Sequence, residues 1–243
     1  RMGVMGTPPQ IDFPAVKAHV AAVIDGIAPH DSIERFEAFG VTVISEHATF
    51  TGPREVASKH HKVRAKYVVI ASGSQPAIPA IDGLSEIDFY TNETIFADPT
   101  KPEHLVIIGG GPIGIEMAQA HVRLGVDVTV IEALSVMARD DSELVAMLKT
   151  QLEADGVKFI EGVRVASVRQ NQPNDITLTL ANGAVINASH LLVATGRQPV
   201  IDGLNLPAAG VKFCNRLLAA RLPFSPFQEI SPFQEIAPFS GAK

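Results

Sequence analysis

Three glycines with the spacing Gly-x-Gly-x-x-Gly form the part of the sequence best suited to binding phosphate groups. They are Gly109, Gly111 and Gly114, and they follow a short apolar run that begins at Leu105. Glycine at these places allows a tight turn, close approach of the backbone to a pyrophosphate, and close packing of the next helix on the strand. That helix would present free N–H groups and a partial positive charge to the phosphates. The spacing therefore predicts a dinucleotide site at this loop.

An acidic residue at the end of the next apolar run suits the sugar of the same ligand. Glu132 follows Gly109 by roughly 20 residues, the separation at which dinucleotide-binding folds place an acid that binds the adenosine ribose. Its carboxylate can accept both ribose hydroxyls, and it would repel a 2′-phosphate. The next residues, Ala133, Leu134 and Ser135, include no arginine that could bind such a phosphate. The sequence therefore favours NAD over NADP.

The residues around the glycines have the pattern of a strand, a helix and a second strand. Ile113, Met117, Ala120 and Leu124 recur at helical spacing and are expected to be buried, and Gly125 suits a left-handed helix end. A further apolar run follows directly. This is the pattern of a βαβ unit with the glycines at its first turn.

The sequence after this unit predicts a second helix, four more strands of which the last three surround a hairpin, and a closing buried strand. A capping pair and an apolar stripe mark the helix, an Asn-Gly pair marks the hairpin turn, and the last strand runs into a glycine turn. We therefore expect an α/β fold of the Rossmann-like FAD/NAD(P)-binding type, with a parallel sheet and an antiparallel hairpin excursion. The residues that carry these patterns are Asp140, Glu143, Leu144, Met147, Leu148, Leu152, Gly156, 157–160, 164–168, 176–180, Asn182, Gly183, 185–187 and His190 to Gly196.

Composition excludes several classes of function. The chain of 243 residues is 46% hydrophobic and carries a net charge of −6, which argues against nucleic acid or an anionic membrane as a partner. No apolar run reaches the roughly 18 residues of a membrane helix, and no secretory signal is present. The one cysteine, Cys214, indicates a reducing, cytoplasmic location and excludes a dithiol centre within this sequence. No metal-ligand spacing is present, and His121 and His190 are expected to be ordinary surface or edge residues.

The first hundred residues repeat part of the second hundred. Residues 36–44 echo 152–160, and residues 65–76 echo 188–199. A repeat of this size predicts two similar nucleotide domains rather than a solenoid. The glycine loop of the first copy would fall before residue 1, so we expect that copy to be truncated. It should form a partial sheet with helices near 13–27 and 31–39.

Three motifs together resemble the pyridine nucleotide–disulfide oxidoreductases, most closely the mercuric reductase and dihydrolipoamide dehydrogenase branch. They are Ala71-Ser-Gly-Ser-x-Pro76, Gly109-Gly-Gly-Pro-Ile-Gly-Ile-Glu116, and Ala194-Thr-Gly-Arg-x-Pro199. The resemblance implies that the first copy binds FAD and the second binds NAD(P)H. It also implies that hydride passes from the nicotinamide to the flavin and that electrons pass on to a Cys-x-x-x-x-Cys disulfide. Members of the family are homodimers.

The resemblance also assigns roles to individual residues. Glu132 would bind the adenosine ribose. Glu116 would be the catalytic residue beside the nicotinamide and flavin, facing a lysine that follows the redox cysteines in the family. The pyrophosphate loop and the walls of the cofactor cleft would comprise Gly109, Gly110, Gly111, Pro112, Ile113, Gly114, Val165, Ala194, Thr195, Gly196 and Arg197.

Several family features are not found in this sequence: the flavin glycine loop, the redox cysteines and their lysine, the Gly-Asp flavin motif and the C-terminal dimer domain. We expect residues 1–98 to be a truncated remnant of the FAD-binding domain and 99–213 to be the NAD-binding Rossmann domain. Residues 214–243 form an atypical Phe/Pro-rich tail with a direct repeat at 225–230 and 231–236. A translation artefact explains that tail better than a partner-binding role.

Three functions are compatible with these features. The favoured one is the NADH-binding portion of a flavin-dependent disulfide-reductase-type oxidoreductase. The alternative is a non-catalytic nucleotide-binding module with a partner-binding tail. An ordinary Rossmann dehydrogenase is disfavoured, because the repeat occupies the place of a substrate domain. We expect the chain by itself not to bind FAD tightly and not to oxidise NADH.

Overall fold

The computed structural model describes residues 10–211. Four α-helices and twelve strands are formed, with short 3-10 helices at 28–31, 84–86 and 206–209. The elements are α1 (Phe13–Ile27), α2 (Ile33–Ala38), β1 (Thr49–Gly52), β2 (Glu55–Ala57), β3 (Lys62–Arg64), β4 (Ser74–Pro76), β5 (His104–Ile108), α3 (Pro112–Arg123), β6 (Asp127–Glu132), α4 (Ser142–Asp155), β7 (Lys158–Glu161), β8 (Val165–Gln172), β9 (Asp175–Leu180), β10 (Val185–Ala188), β11 (His190–Val193) and β12 (Arg197–Pro199).

The described chain forms two compact units. The first, unit 1, comprises residues 10–31 and 76–197, and the second, unit 2, comprises residues 32–75 and 198–211. These limits differ from the boundary expected at residues 98 and 99, because α1 and residues 76–98 cluster with the following Rossmann elements. The expected tail, 214–243, lies outside the described residues.

Unit 1 contains a parallel sheet with the strand order β11-β5-β6-β7. Its strands are almost continuously apolar because both faces of the sheet are covered. Leu105 and Ile107 pack on one side with α3 and α4, whereas Val106 and Ile108 pack on the other side with β8 and β9. The fold is therefore the α/β Rossmann-like fold that the sequence predicts, with α-helices on one face of the parallel sheet and an antiparallel hairpin sheet on the other.

The antiparallel excursion connects β7 to β11. It has the order β10-β9-β8, and Gly183 at the turn between β9 and β10 has a φ of +86°. In β9 the buried residues Ile176, Leu178 and Leu180 alternate with half-buried ones. This alternation is typical of a strand with one face on the core, and it confirms the predicted hairpin.

The buried face of α3 differs from the predicted one. Gly114, Ile115, Ala118 and His121 are buried, whereas Ala120 is exposed. Ile113, Met117 and Leu124, which were also expected to be buried, are half-buried. The prediction is wrong for Ala120, whereas Met117 and Leu124 do pack against the core. The most buried face is rotated by about one residue, because the helix turns its smallest residue, glycine, toward the strand.

The stripe predicted on α4 is only partly buried. Leu152 is fully buried, but Leu144 and Met147 are 66% and 71% exposed. The helix is capped by Asp141, whose carboxylate accepts from the backbone N–H groups of Glu143 and Leu144. The predicted cap, Asp140, lies one residue too early. Gly156 ends the helix with a φ of +110°, as predicted.

Unit 2 contains an antiparallel sheet, β1-β2-β3, packed with the 3-10 helix at 206–209. The repeated sequence gives a repeated structure only in part, since the matching segments 74–76 and 197–199 both form strands, β4 and β12. Residues 41–44 and 67–71 form no strand, and Tyr67 and Val69 are 64% and 86% exposed. Their counterparts in unit 1, β7 and β11, pair with β6 and β5. No such parallel strands lie in the described part of unit 2. The helices expected near 13–27 and 31–39 are present as α1 and α2.

Candidate nucleotide-binding site

The glycine loop lies at the carboxyl edge of the parallel sheet, between β5 and α3. Gly109 has a φ of +114°, and a Cβ atom there would lie 2.4 Å from the carbonyl oxygen of Ala194. A Cβ at Gly114 would lie 2.0 Å from the carbonyl oxygen of Gly109. Any larger residue at either place would therefore force β5, α3 and the end of β11 apart. A Cβ at Gly111, in contrast, would meet no atom within 4 Å, so this part of the loop borders open space.

The N-terminus of α3 has no side-chain cap. The caps of α1, α2 and α4 are Asp12, Ser32 and Asp141, whose side-chain oxygens each accept a backbone N–H. At α3 the N-cap is Gly111, and no side chain accepts from the first turn. Orphan N–H groups and the helix dipole are suited to an anion. This helix end is the one among the four α-helices of the described chain with that property.

The carboxylate of Glu132 is fixed beside the glycine loop. One of its oxygens accepts from the Gly110 N–H at 2.7 Å, and the other accepts from the Leu134 N–H at 2.9 Å. The two carboxylate oxygens offer about four acceptor positions. Since two are used by the backbone, two remain for hydroxyl groups of a ligand.

The loop that follows Glu132 is fastened at two further points. The N–H of Val136 donates to the Glu161 carboxylate at 2.8 Å, and the N–H of Met137 donates to the Gly110 carbonyl at 2.9 Å. Glu161 also forms an ion pair with Lys149. The hydrogen bond from Lys149, followed by that from the Val136 N–H, holds the pKa of Glu161 below its usual value. Glu161 is therefore ionised when it holds this loop.

A cavity of about 400 Å³ opens at the same edge of the sheet. Ile108, the last residue of β5, and Ile131, the last but one of β6, are among its lining residues. Val163, Arg164 and Val165 from the connection between β7 and β8 form one wall, and Thr195 is another lining residue. A cavity of this volume with mainly apolar walls is typical of ligand sites.

The structure brings most of the predicted site residues together at the carboxyl edge of the sheet, whereas Arg197 and Glu116 are not among the residues that line the cavity. The glycine loop from Gly109 to Gly114, with Pro112 and Ile113 in the first turn of α3, lies together with Glu132 at the carboxyl edge, where Val165 and Thr195 line the cavity. Ala194 and Gly196 flank Thr195, whose hydroxyl donates to the Ala77 carbonyl at 2.7 Å. The guanidinium of Arg197 instead bonds Asn92 and Glu93 and is not a cavity-lining group. Glu116 is exposed on α3.

Two residues near the site were not singled out from the sequence, namely Glu161 and Arg164. Glu161 is the register partner of Glu132 in the parallel pairing of β6 and β7. Aligning the ends of the two predicted strands could have found it. No sequence motif marks Arg164.

His121 and His190 are both buried, so the expected surface position is wrong for each, although His190 does open β11, an edge strand of the parallel sheet. His121 is 5% and His190 is 6% exposed. His190 stacks on Tyr90 with 5.8 Å between ring centroids, and Tyr90 donates a hydrogen bond to Asp98. Burial lowers the pKa of both histidines. His190 begins β11 at the amino edge of the sheet, opposite the glycine loop, so neither histidine serves the candidate site.

Residues 10–211 contain neither a candidate metal centre nor a helix that could span a membrane. No three His, Cys, Asp or Glu side chains in this part of the chain are grouped closely enough to hold a metal ion. Among its helices, none has the length and apolarity needed to cross a membrane.

A parallel sheet with a glycine loop and an uncapped helix at its carboxyl edge defines a dinucleotide-binding fold of the Rossmann type. The family model described as pyridine nucleotide-disulphide oxidoreductase matches residues 14–218. The chain belongs to this family, whose members are flavoprotein oxidoreductases.

Individual relatives agree with this family. The chain is 34% identical to a mercuric reductase from Streptomyces lividans, over 86% of this chain and 46% of the relative. It is 32% identical to a dihydrolipoyl dehydrogenase from Thermus scotoductus, over 72% of this chain and 39% of the relative. A Cu(II) complex of a variant of the HOCl-induced flavoprotein disulfide reductase RclA from Escherichia coli matches with a TM-score of 0.77 and 25% identity, over 84% of this chain and 47% of that one. The chain thus spans less than half the length of these relatives.

Proposed function

We propose that this chain carries the NADH-binding portion of a flavin-dependent oxidoreductase of the disulfide-reductase type. In the full-length protein, NADH would supply a hydride and FAD would accept it. The observation that supports this most strongly is the uncapped N-terminus of α3 with the Glu132 carboxylate fixed beside it. The first suits a pyrophosphate and the second suits a ribose.

The pyrophosphate would be bound by the backbone at the start of α3. The N–H groups of Ile113 and Gly114 precede the first helical hydrogen bond, which runs from Ile115 to the carbonyl of Gly111. The open space at Gly111 would let phosphate oxygens approach these groups. Pro112 occupies the first helical position. Its nitrogen carries no hydrogen, but an N–H at this position would have no acceptor within the helix, so no helical hydrogen bond is lost.

The adenosine ribose would be bound by the two acceptor positions of Glu132 that the backbone leaves open. A 2′-phosphate would lie against the Glu132 carboxylate, which the backbone N–H groups of Gly110 and Leu134 hold in place. Because the loop from 133 to 137 is fastened at both ends, the carboxylate cannot swing away easily. This arrangement supports a preference for NADH over NADPH.

Glu116 is proposed as the catalytic residue on the basis of the family motif that contains it. It lies on α3 two residues after Gly114, and its exposed carboxylate has no hydrogen-bond partner within residues 10–211. It is therefore available to face a group on the flavin side of the full-length protein. Val165, Ala194, Thr195, Gly196 and Arg197 are proposed to flank the cofactor on the same basis.

The alternative, a non-catalytic module with a partner-binding tail, is not favoured by the family to which the chain belongs. The tail itself lies outside the described residues. The two functions are still separable by experiment, because only the first requires a flavin site and a redox-active disulfide elsewhere in the full-length protein.

Titration calorimetry with NADH and NADPH tests the proposed site. A hydrogen bond to a charged group contributes about 1.5–3 kcal/mol, so Glu132→Ala should weaken NADH binding at least tenfold. Glu103→Gln is a matched control, because Glu103 is exposed and precedes β5 at the opposite edge of the sheet. Equal affinities of the unaltered chain for both nucleotides would contradict the assignment.

A second experiment addresses flavin and turnover. The described residues of unit 2 contain no four-stranded sheet like that of unit 1, so we expect the purified chain to be colourless and not to consume NADH. The measurements are the visible absorption spectrum, and NADH consumption with added FAD and a dye acceptor. A stoichiometric flavin spectrum, or turnover well above that of free FAD, would contradict this expectation.

A further inference from the structure

The path of a dinucleotide along the sheet edge can be traced from the strand order. The glycine loop follows β5, Glu132 ends β6, and β7 is the next strand outward. A ligand whose pyrophosphate lies at α3 and whose ribose lies at Glu132 would therefore place its base at the end of β7. The residues there are those of the connection between β7 and β8, from 162 to 164.

Backbone hydrogen bonds hold this connection in place on both sides. The N–H of Gly162 donates to the Leu134 carbonyl at 2.9 Å, and the N–H of Ala181 donates to the Arg164 carbonyl at 2.8 Å. The first bond ties the connection to the loop after Glu132, and the second ties it to the hairpin sheet. The backbone of Arg164 is thus fixed at the edge of the 400 Å³ cavity, of which Arg164 is a lining residue.

The guanidinium of Arg164 makes no polar or aromatic contact within the described residues. It has no hydrogen bond, ion pair or ring contact with any other residue in the described range 10–211, and it is exposed. Its neighbours in the wall, Val163 and Val165, are apolar. A guanidinium is planar and weakly hydrated, and it stacks readily on aromatic faces.

We propose that Arg164 contacts the adenine ring of the bound nucleotide, with its guanidinium plane against the face of the base and the two valines beside it. This inference rests on the proposed function, since it requires that a dinucleotide binds at the glycine loop. An aromatic base fits this wall better than a phosphate does. The apolar valines do not solvate a phosphate, and the nearby Glu132 carboxylate repels one.

Calorimetric titrations of the full chain with four probes test this role. The probes are 5′-AMP, NADH, reduced nicotinamide mononucleotide and adenosine 2′,5′-bisphosphate. Arg164→Ala should weaken 5′-AMP and NADH by a similar factor, about 3- to 10-fold for a cation–π contact. It should leave the mononucleotide without adenine unchanged. Arg164→Lys keeps the charge but not the plane, so it should restore only part of the loss.

The control is Arg169→Ala, because Arg169 is also exposed and lies on β8 outside the cavity lining. It should leave all four affinities unchanged. Unaltered 5′-AMP binding in Arg164→Ala would overturn the inference. So would a loss larger for adenosine 2′,5′-bisphosphate than for 5′-AMP that lysine fully restores, because this would make Arg164 a phosphate ligand. Failure of the unaltered chain to bind 5′-AMP and NADH would instead overturn the proposed function.

Discussion

The carboxylate of Glu132 accepts a hydrogen bond of 2.7 Å from the backbone N–H of Gly110. This bond joins the end of β6 to the loop after β5, so the group proposed to bind the ribose is connected to the loop proposed to bind the pyrophosphate. A Cβ at Gly110 would lie 3.1 Å from the Glu132 Cβ and 3.0 Å from a methyl group of Val136. The bond therefore depends on glycine at 110 and on the position of the following loop.

Glu161 is expected to control the order of that loop. Glu161→Gln removes the ion pair with Lys149 and weakens the acceptor of the Val136 N–H. Amide hydrogen exchange at Val136 should become faster, and NADH affinity should fall by a few fold because the loop beside Glu132 loses an anchor. Glu143→Gln is the control, since Glu143 is exposed on α4 and forms no ion pair among the described residues.

The hydrogen bond from the Val136 N–H to the Glu161 carboxylate has a predictable pH dependence. The folded-state pKa of Glu161 is lowered from the ordinary value of 4.5. Its contribution to stability is therefore fully present above that ordinary value and is lost as the pH falls through the lowered one. Val136 exchange, corrected for the intrinsic rate, should stay slow down to about pH 5. Loss of protection already near neutral pH would contradict the role given to Glu161.

Phe13 is expected to hold α1 in the core of unit 1. Its side chain is 2% exposed and packs in the cluster that contains Leu105 and Ile115. Phe13→Ala should lower the free energy of unfolding by about 3–5 kcal/mol. Phe39→Ala, at a residue that is 71% exposed, should change it by less than about 0.5 kcal/mol. Urea denaturation of both variants checks this. Equal effects would show that α1 does not share the core of the Rossmann elements.

The sequence predicts best those elements that depend on local patterns. The strands of the parallel sheet are continuous apolar runs, and the hairpin turn has an Asn-Gly pair, so both were placed within a residue or two. The buried face of α3 was misplaced because Gly114 adds nothing to an apolar count, although it makes the closest approach to the strand. His121 was misjudged for a similar reason. Its ring is buried, and its Nδ1 lies 2.8 Å from the Met117 carbonyl oxygen, within hydrogen-bond distance.

Residues that meet through strand pairing are harder to predict. Glu161 and Arg164 lie about 30 residues beyond Glu132, and they reach it only because β6 and β7 are parallel neighbours. Residues 67–71 illustrate the opposite case. Their sequence repeats that of β11, but a buried strand requires parallel partners on the sheet, and the described part of unit 2 provides none. A local apolar pattern predicts a strand only when its partners are also present.

The buried histidines should make stability fall as the medium becomes acidic. Burial lowers the folded-state pKa of His121 and His190 from the ordinary 6.5, although the Asp98 carboxylate partly opposes this at His190. The unfolded chain then binds protons that the folded chain does not. The free energy of unfolding should be highest above the ordinary pKa and should fall as the pH drops through 6.5 toward the lowered values.

Urea denaturation between about pH 5 and pH 7.5 measures this slope, because that range covers the titration of an ordinary histidine. The slope should be smaller in His121→Gln and His190→Gln, since glutamine does not titrate. His19→Gln is the control, because His19 is exposed on α1 and its change should leave the slope intact. An unchanged slope in both buried-site variants would contradict the burial argument.

The last prediction separates the folding and binding roles of two glycines in the same loop. Gly→Ala inside a helix normally raises stability by up to about 1 kcal/mol. At Gly114 the added methyl group would lie 2.0 Å from the Gly109 carbonyl oxygen. Gly114→Ala should therefore lower the free energy of unfolding, by about 1–3 kcal/mol for an overpacked contact. Gly111→Ala meets no atom within 4 Å, so its thermal unfolding should change much less than that of Gly114→Ala, by no more than the small cost of alanine at an N-cap. It should nevertheless weaken NADH binding at least tenfold, because the methyl group would occupy the space proposed for the pyrophosphate.

Thermal denaturation and calorimetry on the same samples distinguish the two effects. Full NADH affinity in a stable Gly111→Ala protein would place the phosphates elsewhere.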